Sequence, residues 1–596
     1  MNHPRYFLAT TANDRFWRKD KKVIFLGEWC LHPKLQNEID CMDHELMSSP
    51  WDDRQAYYAA AKFADHTYEN LLRKLSLFLN EVHGVNFDLR YWRTLVGTWL
   101  AHYVNSFYDR YFHIQEALRR YGSFETIGLP KNTHIRPTDS TEQTLFLWDD
   151  NYNLLLYSEI FQYLGIPYEE QALLPQELHA MTHDLLKERQ VYFTRSVKGL
   201  LRYLRYQFQK NLYRLSDTDK QLTIYRSFLS TQDVMRLVFK SHFRVRVVDF
   251  PPTRYLLDGE PEQDLPQRHA FLKIPGESSF ESFLIHLLPK YFPVLYLERY
   301  KQARQKALGQ LSRLPRNLFT GLGFWSNECC KFIAGEITSK GGKISAAQHG
   351  GGYGMACLHP YEEHDKKVLD RYYVWGWADH GEERLKNLPS PKLAKFLKPK
   401  HGKIKKSLYP ITLITSNSFR YLIRFDNLGK NRNYHIWRER FIASLGVELQ
   451  RMLLVRLHSS DLGLGLKQQL SKKFKGIHFD NGIPMLQCLQ LTRLAVIDHS
   501  TTSLLEVLTY NIPMIVFWNP RLCEVRPEAE PYTQLLRDAG VLFDSPEEAA
   551  HQVQSVFSHA DEWWAQEKIQ EVRKKFAARF AYTESGWLDH WVKELN

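Results

Sequence analysis

The stretch RLAVIDHSTTSLLEVLTYNIPMIVFW, residues 493–518, decides the fold class. A short β-branched run at 494–498 is followed by a helical pattern at 502–510 and a second β-branched run at 513–518. Strand, helix, strand at this rhythm is the pattern of a parallel sheet covered by helices on both faces. The same rhythm extends outward. Runs at 343–348, 371–377, 411–415 and 452–458 read as strands, with helical patterns at 326–340, 433–446 and 464–474 between them. In such sheets the ligand lies beyond the carboxyl ends of the strands, so the residues just after each strand matter most.

The first half reads differently. Helical spacing runs over 54–82, 91–118, 142–164, 182–215 and 278–312, with buried strands expected at 22–27 and 243–250. Three divisions follow: a helix-rich α/β domain over 1–315, a Rossmann-like domain over 316–545, and C-terminal helices over 546–596 packing back across the domains. No internal repeat is visible.

Composition bounds the function. The chain has 596 residues, 44% hydrophobic and 24% charged, which excludes wholesale disorder and exceeds what one core organises. The most prominent apolar run, 512–518, is far too short to span a bilayer. The N-terminal stretch has no apolar core or small-residue cleavage site, so no secretory signal is expected. Seven cysteines, odd in number and without a CxxC pair, fit a reducing cytoplasm and no zinc finger. The net charge is +12, and residues 386–406 alone carry eight lysines and no acid. That stretch reads as a solvated linker or as a patch for the anionic inner face of a bacterial membrane. No nucleic-acid motif accompanies it, so no nucleic-acid partner is expected.

Two strand ends carry chemistry. The strand at 343–348 runs into Gln348-His349-Gly350-Gly351-Gly352-Tyr353-Gly354, where glycines let backbone N–H groups approach a ligand closely. His349 is placed to donate to a carboxylate or phosphate, or to exchange a proton. The plain alternative is a tight turn with a structural histidine. The strand at 494–498 delivers Asp498-His499-Ser500-Thr501-Thr502-Ser503, with Glu506 one turn into the helix. Four consecutive hydroxyls exceed one helix cap, and with the helix dipole they suit a phosphate; Glu506 suits ribose hydroxyls. Arg456 and His458 end a third strand and add positive charge, although Arg456 alone reads better as an ordinary structural ion-pair partner. In the first half Glu28 follows a strand and Asp52-Asp53-Arg54 opens a helix, positions for a general base or nucleophile as well as for caps.

Sharper motifs fail. Gly341-Gly342-Lys343 lacks the hydroxyl residue and glycine spacing of a phosphate loop. The His349 run has no GxSxG partner for esterase chemistry. Asp217-Thr218-Asp219 follows a helical pattern and reads as a polar turn.

The blocks Phe7–Thr11, Phe25-Leu26-Gly27-Glu28-Trp29-Cys30, Pro50-Trp51-Asp52-Asp53-Arg54, Arg90-Tyr91-Trp92-Arg93 and Tyr108-Asp109-Arg110-Tyr111 recur together in one bacterial family. So do the Gln348–Gly354 run, Trp375-Gly376-Trp377, Val455-Arg456-Leu457 and Asp498–Thr502. Nearly end to end, the sequence resembles the surface-polysaccharide transferase family first named from a Leptospira protein. More distantly it is similar to bacterial Kdo and sialic-acid-type transferases, although its N-terminal half is longer and more helical. That resemblance implies an α/β fold of GT-B type, with two Rossmann-like domains facing a cleft and the N-terminal half enriched in helices. It further implies a cytoplasmic glycosyltransferase, metal-independent and without a cofactor. Such an enzyme moves a 3-deoxy-2-ketoacid sugar (Kdo or a nonulosonic acid) from a CMP-linked donor to a surface glycan or lipid-linked acceptor, as in lipopolysaccharide or capsule synthesis. On that expectation Gln348, Gly350, Gly351, Arg456, His458, Ser500, Thr501, Thr502, Ser503 and Glu506 bind donor. His349, with Glu28 or else Asp52, is then catalytic. Two alternatives stay open: a CDP-alditol-dependent polyol-phosphate transferase, and a non-catalytic glycan-assembly scaffold.

Overall fold

The structure is a computed structural model that describes residues 6–177, 222–257, 265–379, 381–397, 409–417, 419–426, 432–458 and 464–595. The expected helix at 182–215, the Asp217-Thr218-Asp219 turn and residues 398–406 lie outside them. The chain forms two compact units, each drawn from separated segments. The first comprises Met1–Arg226, Val247–Ile344 and Phe419–Phe425; the second comprises Ser227–Arg246, Ser345–Ser418 and Asp426–Asn596.

The first unit opens with three parallel strands in the order β1 (Tyr6–Ala9), β2 (Lys22–Phe25), β3 (His44–Leu46). Two long helices follow, Arg54–His83 and Leu89–Tyr121. Each starts where an aspartate, Asp53 or Asp88, accepts from free N–H groups of the first turn. Gly84, at φ 65°, ends the first in the left-handed conformation that glycine tolerates best. A short parallel pair, β4 (Ile127–Gly128) and β5 (Glu169–Glu170), comes next in this unit.

Two expected long helices are each broken in two. In place of one helix over 142–164 stand Ser140–Phe146 and Asp150–Leu164, because Asp149 caps the second through the Asn151 and Tyr152 N–H groups. Residues 278–312 contain Ser279–Tyr291 and Tyr300–Leu308. There Phe292 precedes Pro293 and leaves the helical region at ψ 128°.

The strands β6 (Leu222–Tyr225) and β8 (Asn317–Thr320) pair in parallel, and neither is signalled by its flanking sequence. Between them in sequence lies β7 (Val245–Val248), shorter than the expected 243–250. His242 and Phe243, at φ 50° and 62°, are left-handed and cannot begin a strand.

The helix Glu328–Ser339 packs on Leu89–Tyr121; a Cβ at Gly335 would come within 2.8 Å of the Tyr91 ring. Beside this contact lies a fully buried ion pair. Lys331 Nζ donates to Glu328 at 3.0 Å, Thr98 at 2.9 Å and Ser140 at 2.7 Å, and Tyr296 donates to Glu328 at 2.6 Å. All three ammonium donors are thereby used.

The strands β9 (Lys343–Ala347), whose last three residues belong to the second unit, β10 (Arg371–Val374) and β11 (Leu385–Asn387) are successive parallel neighbours. Six further strands complete that unit: β12 (Ile411–Ile414), β13 (Leu453–Arg456), β14 (His478–Phe479), β15 (Leu494–Ile497), β16 (Met514–Phe517) and β17 (Leu542–Phe543). Their order is β14-β13-β12-β15-β16-β17, with every pairing parallel. Numbered within this sheet the order is 3-2-1-4-5-6, that of the doubly wound dinucleotide fold. The order reverses between β12 and β15, and the crevice such a reversal opens lies at their carboxyl ends. The α/β class expected from residues 493–518 is therefore what the chain adopts.

The lysine-rich stretch requires a correction. Its described part, through residue 397, is no solvated linker. It contains the end of β11 and a Ser390-capped turn of helix, Pro391–Ala394, anchored by buried Leu388, Leu393 and Phe396. The helices Pro546–Val556, Ala560–Trp564, Glu567–Phe580 and Trp587–Leu595 belong to the second unit. No helix among the described residues is long and apolar enough to cross a membrane. All seven cysteines are free thiols.

Candidate active site

The site is built where two strand ends of the second unit meet. After β9, the Gln348 side chain turns back into the fold. Its amide donates to the Gly350 carbonyl at 2.8 Å and accepts from the Trp375 N–H and the Trp377 indole at 3.0 and 2.8 Å. Gln348 thus shapes the loop from within, at 1% exposure. The next residues press against the start of the Thr502–Tyr510 helix. The Gly351 N–H donates to Thr502 Oγ1 at 3.0 Å. A Cβ on Gly350 would lie 2.7 Å from that hydroxyl, and one on Gly351 would lie 2.7 Å from the Thr502 nitrogen. No side chain fits at Gly351, because its neighbours there are backbone atoms.

His349 is half-buried at the head of this loop. Its Nδ1 lies 2.8 Å from the Tyr353 hydroxyl, and its ring stacks 6.0 Å from Phe228. Its carbonyl accepts from Lys392 Nζ at 2.9 Å. Lys392 comes from the lysine-rich stretch and went unrecognised in the sequence, where seven similar neighbours mask it. Burial lowers its pKa, opposed by the carboxylate of Glu506. Glu506 shows the reverse: burial raises it, and Lys392, Lys395 and Arg456 pull it back. One buried carboxylate therefore sits in the field of three cations, one turn inside the helix that starts at Thr502.

The helix start itself is not closed by its own hydroxyls. Thr501 is the capping residue and makes no side-chain cap bond, while Thr502 is used by Gly351. Ser500 is 9% exposed, and Thr501, Thr502 and Ser503 are half-buried beside it. Behind them lies a buried polar knot at the point where the strand order reverses. Arg438 Nε donates to Asp498 Oδ2 at 2.8 Å, and the Tyr434 hydroxyl donates to Oδ1 at 2.8 Å. Arg438 also donates to the Ser416 carbonyl at 3.1 Å, which ties the ends of β12 and β15 together. Burial alone would raise the Asp498 carboxyl; Arg438 and His499 bring it down to about 2. Tyr434 and Arg438 were missed in the sequence because they look like ordinary helix residues. Next to this knot Trp437, Phe517, Trp518 and Leu522 line a narrow aromatic crevice.

Of the remaining expected residues, Arg456 acts on Glu506 through its charge, and the others fall elsewhere. Arg456, at the end of β13, is ion-paired with Asp480, and His458 beyond it is exposed. Glu28 and Asp52 belong to the first unit. Glu28 is half-buried and opens a single 3-10 turn, Glu28–Cys30; Asp52 is exposed at the end of Pro50–Asp52. The two blocks that contain them converge on one helix residue, since the Trp29 and Trp51 rings lie 4.9 and 5.6 Å from His113. Trp51 donates to Asp109 at 2.6 Å, and Asp109 is paired with the buried Arg110 at 3.0 Å. The Arg90–Arg93 block forms helix interface: Tyr91 and Trp92 are buried, and Arg93 grips Glu69 through two hydrogen bonds of 2.7 and 2.8 Å. Among the described residues no group of three or more His, Cys, Asp or Glu is placed to hold a metal ion.

Comparison with known proteins places the chain. In solved structures it is similar to the UDP-GlcNAc 2-epimerase of Neisseria meningitidis bound to UDP-GlcNAc. That match has 10% identity and a TM-score of 0.34, and covers 63% of this chain and 98% of that one. It is similar to the wall teichoic acid polymerase TagF at 12% identity and a TM-score of 0.33, covering 67% and 98%. It is similar to MurG of Acinetobacter baumannii at 9% identity and a TM-score of 0.33, covering 63% and 99%. No curated protein matches it. The model of one family, described as LIC12162 family transferase, matches residues 6–595. From one end to the other, then, this chain belongs to the LIC12162 family of transferases.

Proposed function

We propose that this transferase is a GT-B-type glycosyltransferase that takes a 3-deoxy-2-ketoacid sugar, Kdo or a nonulosonic acid, from a CMP-linked donor to a bacterial surface glycan. The observation that carries this is the junction of the Gly350-Gly351 backbone with the start of the Thr502–Tyr510 helix, at 3.0 Å. It brings an uncapped helix N-terminus, neighbouring hydroxyls and an imidazole together, and such a group stabilises a phosphate without a metal.

In this reading Ser500, Thr501 and Ser503 hold the donor phosphate. His349 faces the leaving group or the sugar carboxylate. Lys392, Lys395 and Arg456 supply the positive field that draws an anionic donor in. Glu506 serves the ribose, within the field of Lys392. Glu28, half-buried at a strand end, is the preferred base or nucleophile, with Asp52 second.

A thermal-shift panel of CMP, CDP, UDP, GDP and ADP on the purified protein tests the donor class. A nucleotide at about a hundred times its dissociation constant adds roughly 2.7 kcal/mol, a readily measured rise in Tm. Selective stabilisation by CMP is expected. A response to CDP alone would move the assignment to polyol-phosphate transfer, and silence across the panel would refute nucleotide-donor chemistry.

A further inference from the structure

We propose that the exposed face of the Thr231–Lys240 helix, continued by Phe243, docks on an anionic bilayer surface. Three large apolar side chains four residues apart stand out from the second unit: Met235 at 54% exposure, Phe239 at 59% and Phe243 at 61%. The Phe239 and Phe243 rings lie edge to face at 5.4 Å, so they form one ridge. The opposite face supplies the anchor, with Leu237 fully buried and the helix packed on Trp587–Leu595.

The ridge is held outward by backbone that an ordinary sequence avoids. His242 and Phe243 both sit in the left-handed region, at φ 50° and 62°. A bulky aromatic in that conformation is a genuine outlier, and such strain persists where surrounding structure imposes it. Here the Phe243 N–H closes the helix end by donating to the Val238 carbonyl at 3.0 Å.

Charge decides the occupant. Residues 231–244 hold Arg236, Lys240 and Arg244 against the single acid Asp233. Arg236, Lys240 and Arg244 are exposed; Arg236 also pairs with Asp233 at 3.5 Å and Lys240 reaches Asp589 of the packed helix, which leaves the segment with an excess of positive charge. A second copy of the chain would bring this positive ridge against itself. An aromatic and thioether ridge flanked by basic residues instead matches the acyl-headgroup boundary of an anionic leaflet, where the apolar side chains insert and the cations meet phosphates. This contact is separate from the donor site and does not depend on the donor's identity.

The test is co-sedimentation of the full chain with vesicles of phosphatidylglycerol mixed into phosphatidylcholine, against phosphatidylcholine alone. Wild type should pellet with the anionic vesicles only. The variant Phe239→Ser/Phe243→Gly removes the ridge and places glycine where φ is positive, so its Tm should hold while vesicle binding falls by about tenfold or more. Arg236→Gln/Arg244→Gln should weaken binding most at low salt. Absence of wild-type binding to anionic vesicles would overturn the proposal, as would unchanged binding by Phe239→Ser/Phe243→Gly. So would a change in the oligomeric state of that variant without vesicles, which would make the ridge a contact between copies.

Discussion

At the scale of single residues, the glycine loop is defined by what it excludes. Gly350 and Gly351 differ in what a side chain would strike: a threonine hydroxyl that can rotate at Gly350, helix backbone that cannot at Gly351. Gly351→Ala should therefore force the loop off the helix start. We expect a cost of about 1–3 kcal/mol in stability, as in overpacked cores, and loss of the nucleotide-induced Tm rise. Gly350→Ala should be milder on both counts. Equal behaviour of the two variants in the same thermal-shift measurement would refute the asymmetry. The glycine run and the hydroxyl run are legible in the sequence because each is dense and local. Their contact is not, since 151 residues separate Gly351 from Thr502. Lys392 is illegible for the opposite reason: among many lysines, only the fold selects the one that reaches the His349 carbonyl.

At the scale of elements, caps and breaks account for most of what sequence reveals. The two long helices of the first unit are predicted nearly to their ends, because Asp53, Asp88 and Gly84 punctuate clear helical patterns. Asp149 and Phe292-Pro293 are equally strong punctuation, overlooked because apolar spacing continues through them. β6 and β8 carry no comparable signal, being four residues each and defined by pairing with one another. The Glu328–Ser339 helix offers a test of buried charge. Lys331→Met leaves Glu328 buried beside hydroxyls without its cation, and we expect a loss of about 3–5 kcal/mol by denaturant unfolding. Lys331→Met/Glu328→Gln should recover a large part of it. A single variant within about 0.5 kcal/mol of wild type would show that the pair is not closed to water.

At the scale of the whole molecule, buried histidines set an acid limit. Burial brings His83 down to about 4 and, with Arg438 nearby, His435 down to about 3; burial also lowers His113. An unfolded chain protonates these rings near their ordinary value of about 6.5. As pH falls below that value, the unfolded state takes up protons that the folded state refuses. Each such group then removes up to about 1.4 kcal/mol of stability per pH unit until its folded pKa is reached. Asp149, pushed up to about 6 by burial, acts with the opposite sign: its contribution is present at low pH and lost as pH rises through that value. Three histidines outweigh Asp149 and the likewise raised Glu506, so Tm should fall steadily from pH 7 to pH 5 in calorimetry. A flat profile would refute the neutral burial of these rings.

The division of the chain also acts at this scale, and no composition shift announces it. Three segments of each unit alternate along the sequence, giving five joins. In the shortest segment, Arg420 and Tyr421 grip the Asp150 carboxylate, Arg420 through two hydrogen bonds of 2.8 and 2.9 Å. A gene truncated after codon 344 would encode a first unit whose Asp150 keeps the Ala12 N–H and loses both of those partners. Single-crossover recombination between diverged copies of the gene would pair residue 150 of one parent with residues 420 and 421 of the other in every hybrid joined between the two regions. The two units are thus bound to be inherited together.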